Sequence, residues 1–182
     1  MRKFLIGFVL GLIVVPAYVY WYFSSGSAPV ATAAPPIPFE KTFARAALHA
    51  RLEKEMPKTA PIQGDDATYA AGAEIYKQHC AVCHGLPGQA QSAIAKGMFP
   101  KPPKLMEGKG VTDDEVGETY WKVDNGIRMT GMPSFSKDLS TTQMWQVSWL
   151  LANADKLPKS VIDSLSATAA PAAATAPLQP KK

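Results

Sequence analysis

The sequence contains few of the residues that most often bind metals or form crosslinks. Its 182 residues include only two cysteines and three histidines. Cys80 and Cys83 are three residues apart, and His84 follows directly. A structural zinc site needs four ligands, and His79 is the only further candidate nearby. The sequence therefore argues against a zinc site, and it leaves no other cysteine for a disulfide framework.

The segment 65–157 lacks the positive charge that the whole chain carries. The formal net charge of the chain is +4, but acidic residues outnumber lysine and arginine within this segment. The basic excess lies in the flanking segments. Because binding to nucleic acid calls for a basic patch on the folded domain, the charge pattern argues against a nucleic-acid partner.

Cys80, Cys83 and His84 form the pattern by which a haem is attached covalently. Residues three apart lie on the same side of a helical turn, so both thiols can form thioethers along one edge of a porphyrin. His84 can then bind the iron, a common role for histidine. A thioredoxin-like redox pair would need a βαβ pattern around it, which is missing here. The pattern predicts one covalently bound haem c.

A long uncharged run, residues 4–23, follows Arg2 and Lys3. Its length matches the roughly 20 apolar residues that span a bilayer, and aromatic residues crowd its far end. A cleaved signal peptide is the alternative, although its hydrophobic region is usually only about 7–15 residues long. We expect a single-pass anchor in residues 1–24, with a cytoplasmic N-terminus and the haem domain on the periplasmic side.

The rest of the chain divides into three parts by composition. Residues 25–64 are rich in proline and alanine and predict a spacer, with a helix at about 39–56. Residues 65–158 are the predicted haem domain. Residues 159–182 are rich in alanine and proline and predict a disordered tail.

Two capping-box patterns predict where helices begin inside the domain. They are Thr112–Glu115 and Ser140–Gln143, with helices expected to run to about Asp124 and Lys156. Residues 86–110, between the haem motif and the first box, are rich in proline and glycine and predict loops.

Residues 65–157 resemble a monohaem cytochrome c domain of the small bacterial kind. Two patterns carry the resemblance: Gly72-x-x-x-Tyr76-x-x-x-Cys80-x-x-Cys83-His84-Gly85, and Asn125-Gly126-Ile127-Arg128-x-x-Gly131-Met132-Pro133-x-Phe135. The resemblance implies an all-α fold around one haem. It also implies that the first and last helices of the domain cross near Gly72, with an aromatic residue such as Trp149 opposite.

The same resemblance implies a methionine as the second iron ligand. Met132 matches by position, while Met129, three residues away, stays open on spacing alone. Met98 and Met106 fit less well.

Further contacts with the haem are implied for three positions. A proline carbonyl is expected beside His84, and Pro103 matches better than Pro102. The Trp121 indole is expected either to donate to a haem propionate or to lie in the core. Arg128 lies in the second pattern, and we predict that it also binds the cofactor.

These residues point to electron transfer. Ligation by histidine and methionine leaves no open iron position and raises the reduction potential. The expected function is a one-electron carrier, not an enzyme, with membrane redox proteins as donor and acceptor. One alternative is a haem c subunit of a larger oxidase or dehydrogenase. A less favoured alternative is a gas-binding or peroxidase-like haem protein with a labile second ligand.

Overall fold

The computed structural model describes residues 1–167, and that part of the chain contains helices but no β-strand. The all-α expectation is therefore confirmed. The chain forms two compact units, Met1–Ala50 and a second unit that begins at Arg51. The helices are α1 Arg2–Ser24, α2 Glu40–Glu55, α3 Asp66–Ile75, a π-helical segment Tyr76–Cys80, α4 Ala81–His84, α5 Ala93–Gly97, α6 Val116–Asn125, α7 Thr141–Ala152 and α8 Lys159–Ser166.

In the first unit, α1 contains the uncharged run and keeps Pro16 inside the helix. Large apolar side chains along it, such as Phe8, Ile13 and Val15, are exposed. The helix is long and apolar enough to cross a membrane, and a signal sequence has the same properties.

The core of the second unit forms where α3 and α7 cross. Gly72 makes the crossing possible, because a Cβ there would overlap the carbonyl oxygen of Gln146 and lie 3.0 Å from the Cβ of Leu150. Glycine has no side chain to hold the two backbones apart. The crossing lies where the resemblance implied. Trp149 packs against Gly64, and the atoms nearest to a Cβ on Gly72 belong to Gln146 and Leu150.

Helix α6 packs on α7 through aromatic rings. Tyr120 stacks on Trp145, with ring centroids 4.2 Å apart and planes 15° from parallel. Helix α7 begins with the predicted capping box of Ser140 and Gln143, although it ends at Ala152, short of Lys156.

The capping box predicted at Thr112 is wrong. Helix α6 begins at Val116 with Glu115 as its N-cap residue. The Thr112 hydroxyl instead donates to the carbonyl oxygen of Lys109 at 2.8 Å. The pattern was misread because a threonine side chain closes a turn by the same kind of local hydrogen bond that caps a helix.

Residues 51–64, which we call the N-terminal strap, belong to the second unit although they were predicted as spacer. Leu52 is 2% exposed. A Cβ on Gly117 would overlap the carbonyl oxygen of Pro57, and the Trp149 indole donates to the carbonyl oxygen of Ile62 at 3.0 Å. The folded unit therefore extends N-terminal of residue 65.

The unit also extends beyond Pro158. Helix α8 buries Val161 and Leu165 in the core, and Lys77 Nζ donates to Ser164 Oγ at 3.2 Å. The prediction of a disordered tail is wrong for these residues, because Val161 and Leu165, four apart, share one buried helix face. Residues 168–182 of that predicted tail lie outside the described residues.

Candidate haem-binding site

The helix that leads into the haem motif changes its winding just before the cysteines. Asp65 caps α3 by accepting a hydrogen bond from the Thr68 backbone N–H at 2.8 Å. The chain then passes through the π-helical segment Tyr76–Cys80 and into α4. A π-helical turn holds more residues than an α-turn and occurs frequently at functional sites. It therefore sets the direction in which α4 presents the motif.

Cys80 and Cys83 are free thiols, and both are half-buried. Cys80 packs against the core of the second unit. Burial is the main cause that raises the pKa of the Cys80 thiol to about 12, and the neighbouring Cys83 adds to the effect. The Cys80 thiol is therefore neutral at physiological pH and lies where an apolar group can contact it.

His84 is held by the loop that follows the motif. Its Nδ1 lies 2.7 Å from the carbonyl oxygen of Pro103. Since a carbonyl only accepts, Nδ1 must carry the proton, and Nε2 keeps its lone pair. Burial lowers the pKa of His84, while the bond to Pro103 acts in the opposite direction. The imidazole is thus oriented as a neutral ligand with Nε2 free to bind iron.

Pro102 does not supply the carbonyl oxygen that contacts His84. Its carbonyl oxygen accepts a hydrogen bond from Gln91 Nε2 at 3.2 Å. Gln91 lies just before α5, a short helix inside the stretch predicted as loops. The bond therefore fixes the chain that presents Pro103 to His84.

Tyr76 fixes the exit from the motif. Its hydroxyl donates to the carbonyl oxygen of Gly85 at 2.7 Å, and burial raises the pKa of Tyr76. Gly85 has a positive φ of 79°, a conformation that glycine adopts without strain. The chain can therefore turn away immediately after His84.

Met132 lies in a loop closed by its own hydrogen bonds. The Ile127 N–H donates to the Met132 carbonyl oxygen at 3.1 Å. The Thr130 hydroxyl accepts from the Met132 N–H at 3.1 Å and donates to the Ile127 carbonyl oxygen at 2.7 Å. Gly126, with φ 67°, lies so close to the returning chain that a Cβ there would be 2.6 Å from the Ser134 nitrogen. These contacts define the position of Met132.

The candidate methionines differ clearly in their surroundings. Met132 is half-buried and packs against the core, whereas Met129 is 92% exposed. The end of the Met98 side chain lies against Gly131, and Met106 packs on the core. Of the two residues left open by spacing, Met132 is the one that faces the interior.

The donor set fits a covalently attached haem. The thiols of Cys80 and Cys83 lie on adjoining helical turns, and the His84 imidazole has Nε2 free. The half-buried thioether of Met132 lies in a loop that its own hydrogen bonds close. Cys80 and Met132 pack against the same core. The part of the chain that the structure describes has no group of three or more His, Cys, Asp and Glu side chains suited to a metal ion on its own.

Comparison with known proteins agrees with this chemistry. A family model described as "Cytochrome C oxidase, cbb3-type, subunit III" matches residues 67–149. The match includes both patterns, from Gly72 to Gly85 and from Asn125 to Phe135. Residues 67–149 are a small c-type cytochrome domain. Such domains carry covalently bound haem.

A solved structure similar to the chain is the reducing HAO-like protein complex Kustc0457/Kustc0458 of Kuenenia stuttgartiensis. The identity is 26% and the TM-score 0.46. The similarity covers 57% of this chain and 53% of that one, so the chain spans about half the length of its match. No curated protein matches the sequence.

Two of the predicted cofactor contacts in this cytochrome domain, those of Trp121 and Arg128, stay predictions. The Trp121 indole donates its single N–H to Glu55 Oε2 at 3.2 Å. Arg128 is exposed, and its side chain has no hydrogen bond or ion pair with the residues described.

Some contacts that position the haem ligands were missed from the sequence. Thr130 could have been found, because threonine often bonds to nearby backbone groups and it lies two residues before Met132. The π-helical segment had no signal in spacing or composition. It depends on how Tyr76 and Cys80 pack into the core, which is set by distant residues.

Proposed function

We propose that this protein is a membrane-anchored one-electron carrier with a single haem c. In this proposal Cys80 and Cys83 form the thioethers, and His84 and Met132 bind the iron. The observation that carries it is the His84–Pro103 hydrogen bond, because it leaves Nε2 as the free ligand atom of the residue that directly follows Cys83. The half-buried Met132 in its closed loop supplies the second ligand.

Each protein group has a role that does not require making or breaking a covalent bond of a substrate. When bound, the haem iron supplies one-electron oxidation and reduction. His84 and Met132 would hold the iron and leave no position for a substrate. The bonds of Tyr76, Thr130 and Gln91 keep the ligand loops in place. A rigid set of ligands favours electron transfer, because little has to rearrange when the charge changes.

The anchor is proposed to keep the cytochrome domain at the outer surface of the membrane. Arg2 and Lys3 would then stay in the cytoplasm, and all residues after α1 would be periplasmic. Attachment to the bilayer raises the effective concentration of redox proteins in the same membrane. The proposed partners are such proteins, one as electron donor and one as acceptor.

Spectra of the protein in its native membrane test this proposal. We expect a reduced-minus-oxidised spectrum of a c-type haem that stays with the polypeptide after denaturation, one haem per chain and no free thiol. Ferrous protein should bind carbon monoxide poorly. Tight binding of carbon monoxide by the unaltered protein would contradict the carrier and favour a gas-binding or peroxidase-like role.

A second candidate function is a haem c subunit of a larger membrane complex. The specific observation that favours it is the family description, which names a subunit of an oxidase and matches residues 67–149. Gentle extraction from native membranes distinguishes a free carrier from a complex subunit. A free carrier should migrate at the size of the single chain, whereas a subunit should keep other redox proteins with it through purification.

A further inference from the structure

Gly131, the residue directly before Met132, does not have the backbone conformation that usually requires glycine. Glycine is the default residue where the chain needs a positive φ, as at Gly126 in the same loop, with φ 67°. Gly131 does not have a positive φ. Its backbone conformation is therefore open to residues with a side chain, and the absence of a Cβ needs another explanation.

A side chain from another loop lies against Gly131. A Cβ on Gly131 would overlap the ε-methyl group of Met98, and its distances to Sδ and Cγ of the same side chain would be 3.4 and 3.9 Å. The three atoms nearest to such a Cβ thus all belong to Met98. The half-buried Met98 side chain lies over the backbone of Gly131, and glycine leaves room for it.

Met98 is held to the haem motif through α5. Ser92 Oγ, at the N-cap of α5, donates to the carbonyl oxygen of Val82 at 2.5 Å and accepts from the Ala95 N–H at 3.1 Å. Val82 lies between the two cysteines of the motif. Ala95 is 0% exposed, and its carbonyl oxygen accepts from the Met98 N–H at 3.4 Å. These bonds link the segment that would carry the thioethers to the loop that presents Met132.

The contact with Met98 matters because the iron would hold Met132 only through its sulfur. The hydrogen bonds that close the loop are made by Ile127, Thr130 and Met132. Gly131 itself forms no backbone hydrogen bond with the residues that the structure describes. The packing of Met98 is therefore the restraint that reaches Gly131 from outside the loop.

We propose that Met98 keeps the Met132 sulfur on the haem iron by packing on Gly131. A methionine side chain is flexible and fills irregular gaps, and its contact restricts the movement of the residue next to Met132. Met98 is thus a positioning residue, which acts through Gly131 and does not itself bind the iron. Without it, Met132 should leave the iron more often, and small ligands should reach the open position. The inference rests on the proposed function, because it assumes that Met132 is the second ligand.

The test uses full-length, haem-loaded variants in detergent. It measures the weak sulfur-to-iron absorption band of the ferric protein, the reduction potential, and carbon monoxide binding by the ferrous protein. Met98→Ala should weaken the band, lower the potential and increase carbon monoxide binding, because the iron keeps its soft ligand for less of the time. Met98→Leu, which conserves an apolar side chain of similar volume, should retain most of the wild-type behaviour.

Gly131→Ala tests the same contact from the other side. Its Cβ would displace Met98 or the loop, so we expect a weaker band and more carbon monoxide binding. In a chain that already carries Met98→Ala, the overlapping methyl group is gone, and Gly131→Ala should add little, as residues in contact are not additive. Gly97→Ala is the matched control and should change none of the three measurements. Gly97 also lacks a positive φ, and a Cβ there would meet no atom within 4 Å.

Three results would overturn the inference. If Met98→Ala lowers only the melting temperature, Met98 stabilises the fold and does not position Met132. If Gly131→Ala has the same effect with Met98 present and absent, the contact is not the reason for the glycine. If Met98→Leu loses the band as fully as Met98→Ala, the Met98 sulfur matters and not its packing. If Met98→Ala fails to retain haem, Met98→Val takes its place in the same comparisons.

Failure of the proposed function would look different. In that case the unaltered protein would carry no haem or would show no sulfur-to-iron band. A normal wild-type band that Met98→Ala leaves unchanged would reject the role of Met98 alone.

Discussion

In the proposed function, single side chains would decide what the iron can do. The two methionines of the ligand loop are three residues apart, and one is half-buried while the other is 92% exposed. Spacing could not separate Met129 from Met132. The separation depends on the hydrogen bonds of Thr130 and Ile127, which turn Met132 inward.

We therefore predict opposite outcomes for two substitutions. Met132→Ala should abolish the sulfur-to-iron band, lower the potential and let ferrous protein bind carbon monoxide, because the iron loses its soft ligand. Met129→Ala is the control and should change none of these. Absorption spectra with and without carbon monoxide measure both. The reverse pattern would show that Met129 is the ligand.

Two glycines with the same backbone conformation allow a second residue-scale prediction. Gly126 and Gly88 have φ of 67° and 68°, but only Gly126 lies against other backbone atoms. Both alanine variants should lose about 1–2 kcal/mol from the unfavourable φ. Gly126→Ala should lose more, because its Cβ would displace the chain at Pro133 and Ser134. Thermal unfolding of the holoprotein checks the difference, and equal losses would argue against a rigid ligand loop.

At the scale of helices, one of the two local capping signals was recovered, and the distant contacts were not. The capping box at Ser140 was predictable because it involves residues three apart. The strap was predicted as spacer because proline-containing sequence suggests a linker. Its docking depends on Trp121, Trp149 and Gly117, which lie far along the chain. Helix α8 was also not predicted, because the alanine- and proline-rich residues that follow it made the whole segment resemble a disordered tail.

Helix α8 gives a direct comparison between a buried and an exposed side chain. Leu165 is 1% exposed and Ile162 is 41% exposed. Leu165→Ala should destabilise the second unit by about 2–5 kcal/mol, since it leaves a cavity. Ile162→Ala should cost about 0.5 kcal/mol or less, as surface changes usually do. Denaturant unfolding measures both, and equal effects would mean that α8 is not part of the folded core.

The strap can be tested by truncation. A chain that begins at Glu40 keeps α2 and the strap, whereas one that begins at Ala60 loses Leu52, Glu55 and Pro57. We expect the shorter chain to melt at a lower temperature and to retain less haem, because Trp121 and Gly117 lose their contacts. Equal melting temperatures and equal haem content would show that the cytochrome domain does not need the strap.

At the scale of the whole molecule, the proposed anchor would decide where electrons can be delivered. The full-length protein should remain in the membrane fraction through washes with high salt and carbonate, because about 20 apolar residues suffice to span a bilayer. The chain that begins at Glu40 is the control and should be released. A soluble mature protein that starts near Ala34 would instead identify residues 1–33 as a signal peptide.

The strap also has a mechanical consequence. With α1 in a bilayer, any pull between the membrane and the cytochrome domain reaches the folded unit first at residues 51–64. The load is taken up by the bonds of Trp121 with Glu55 and Trp149 with Ile62 and by the close contact of Pro57 with Gly117. Cys80, His84 and Met132 come later in the chain. Tension on the tether should therefore peel the strap from α6 and α7 before it disturbs the iron ligands.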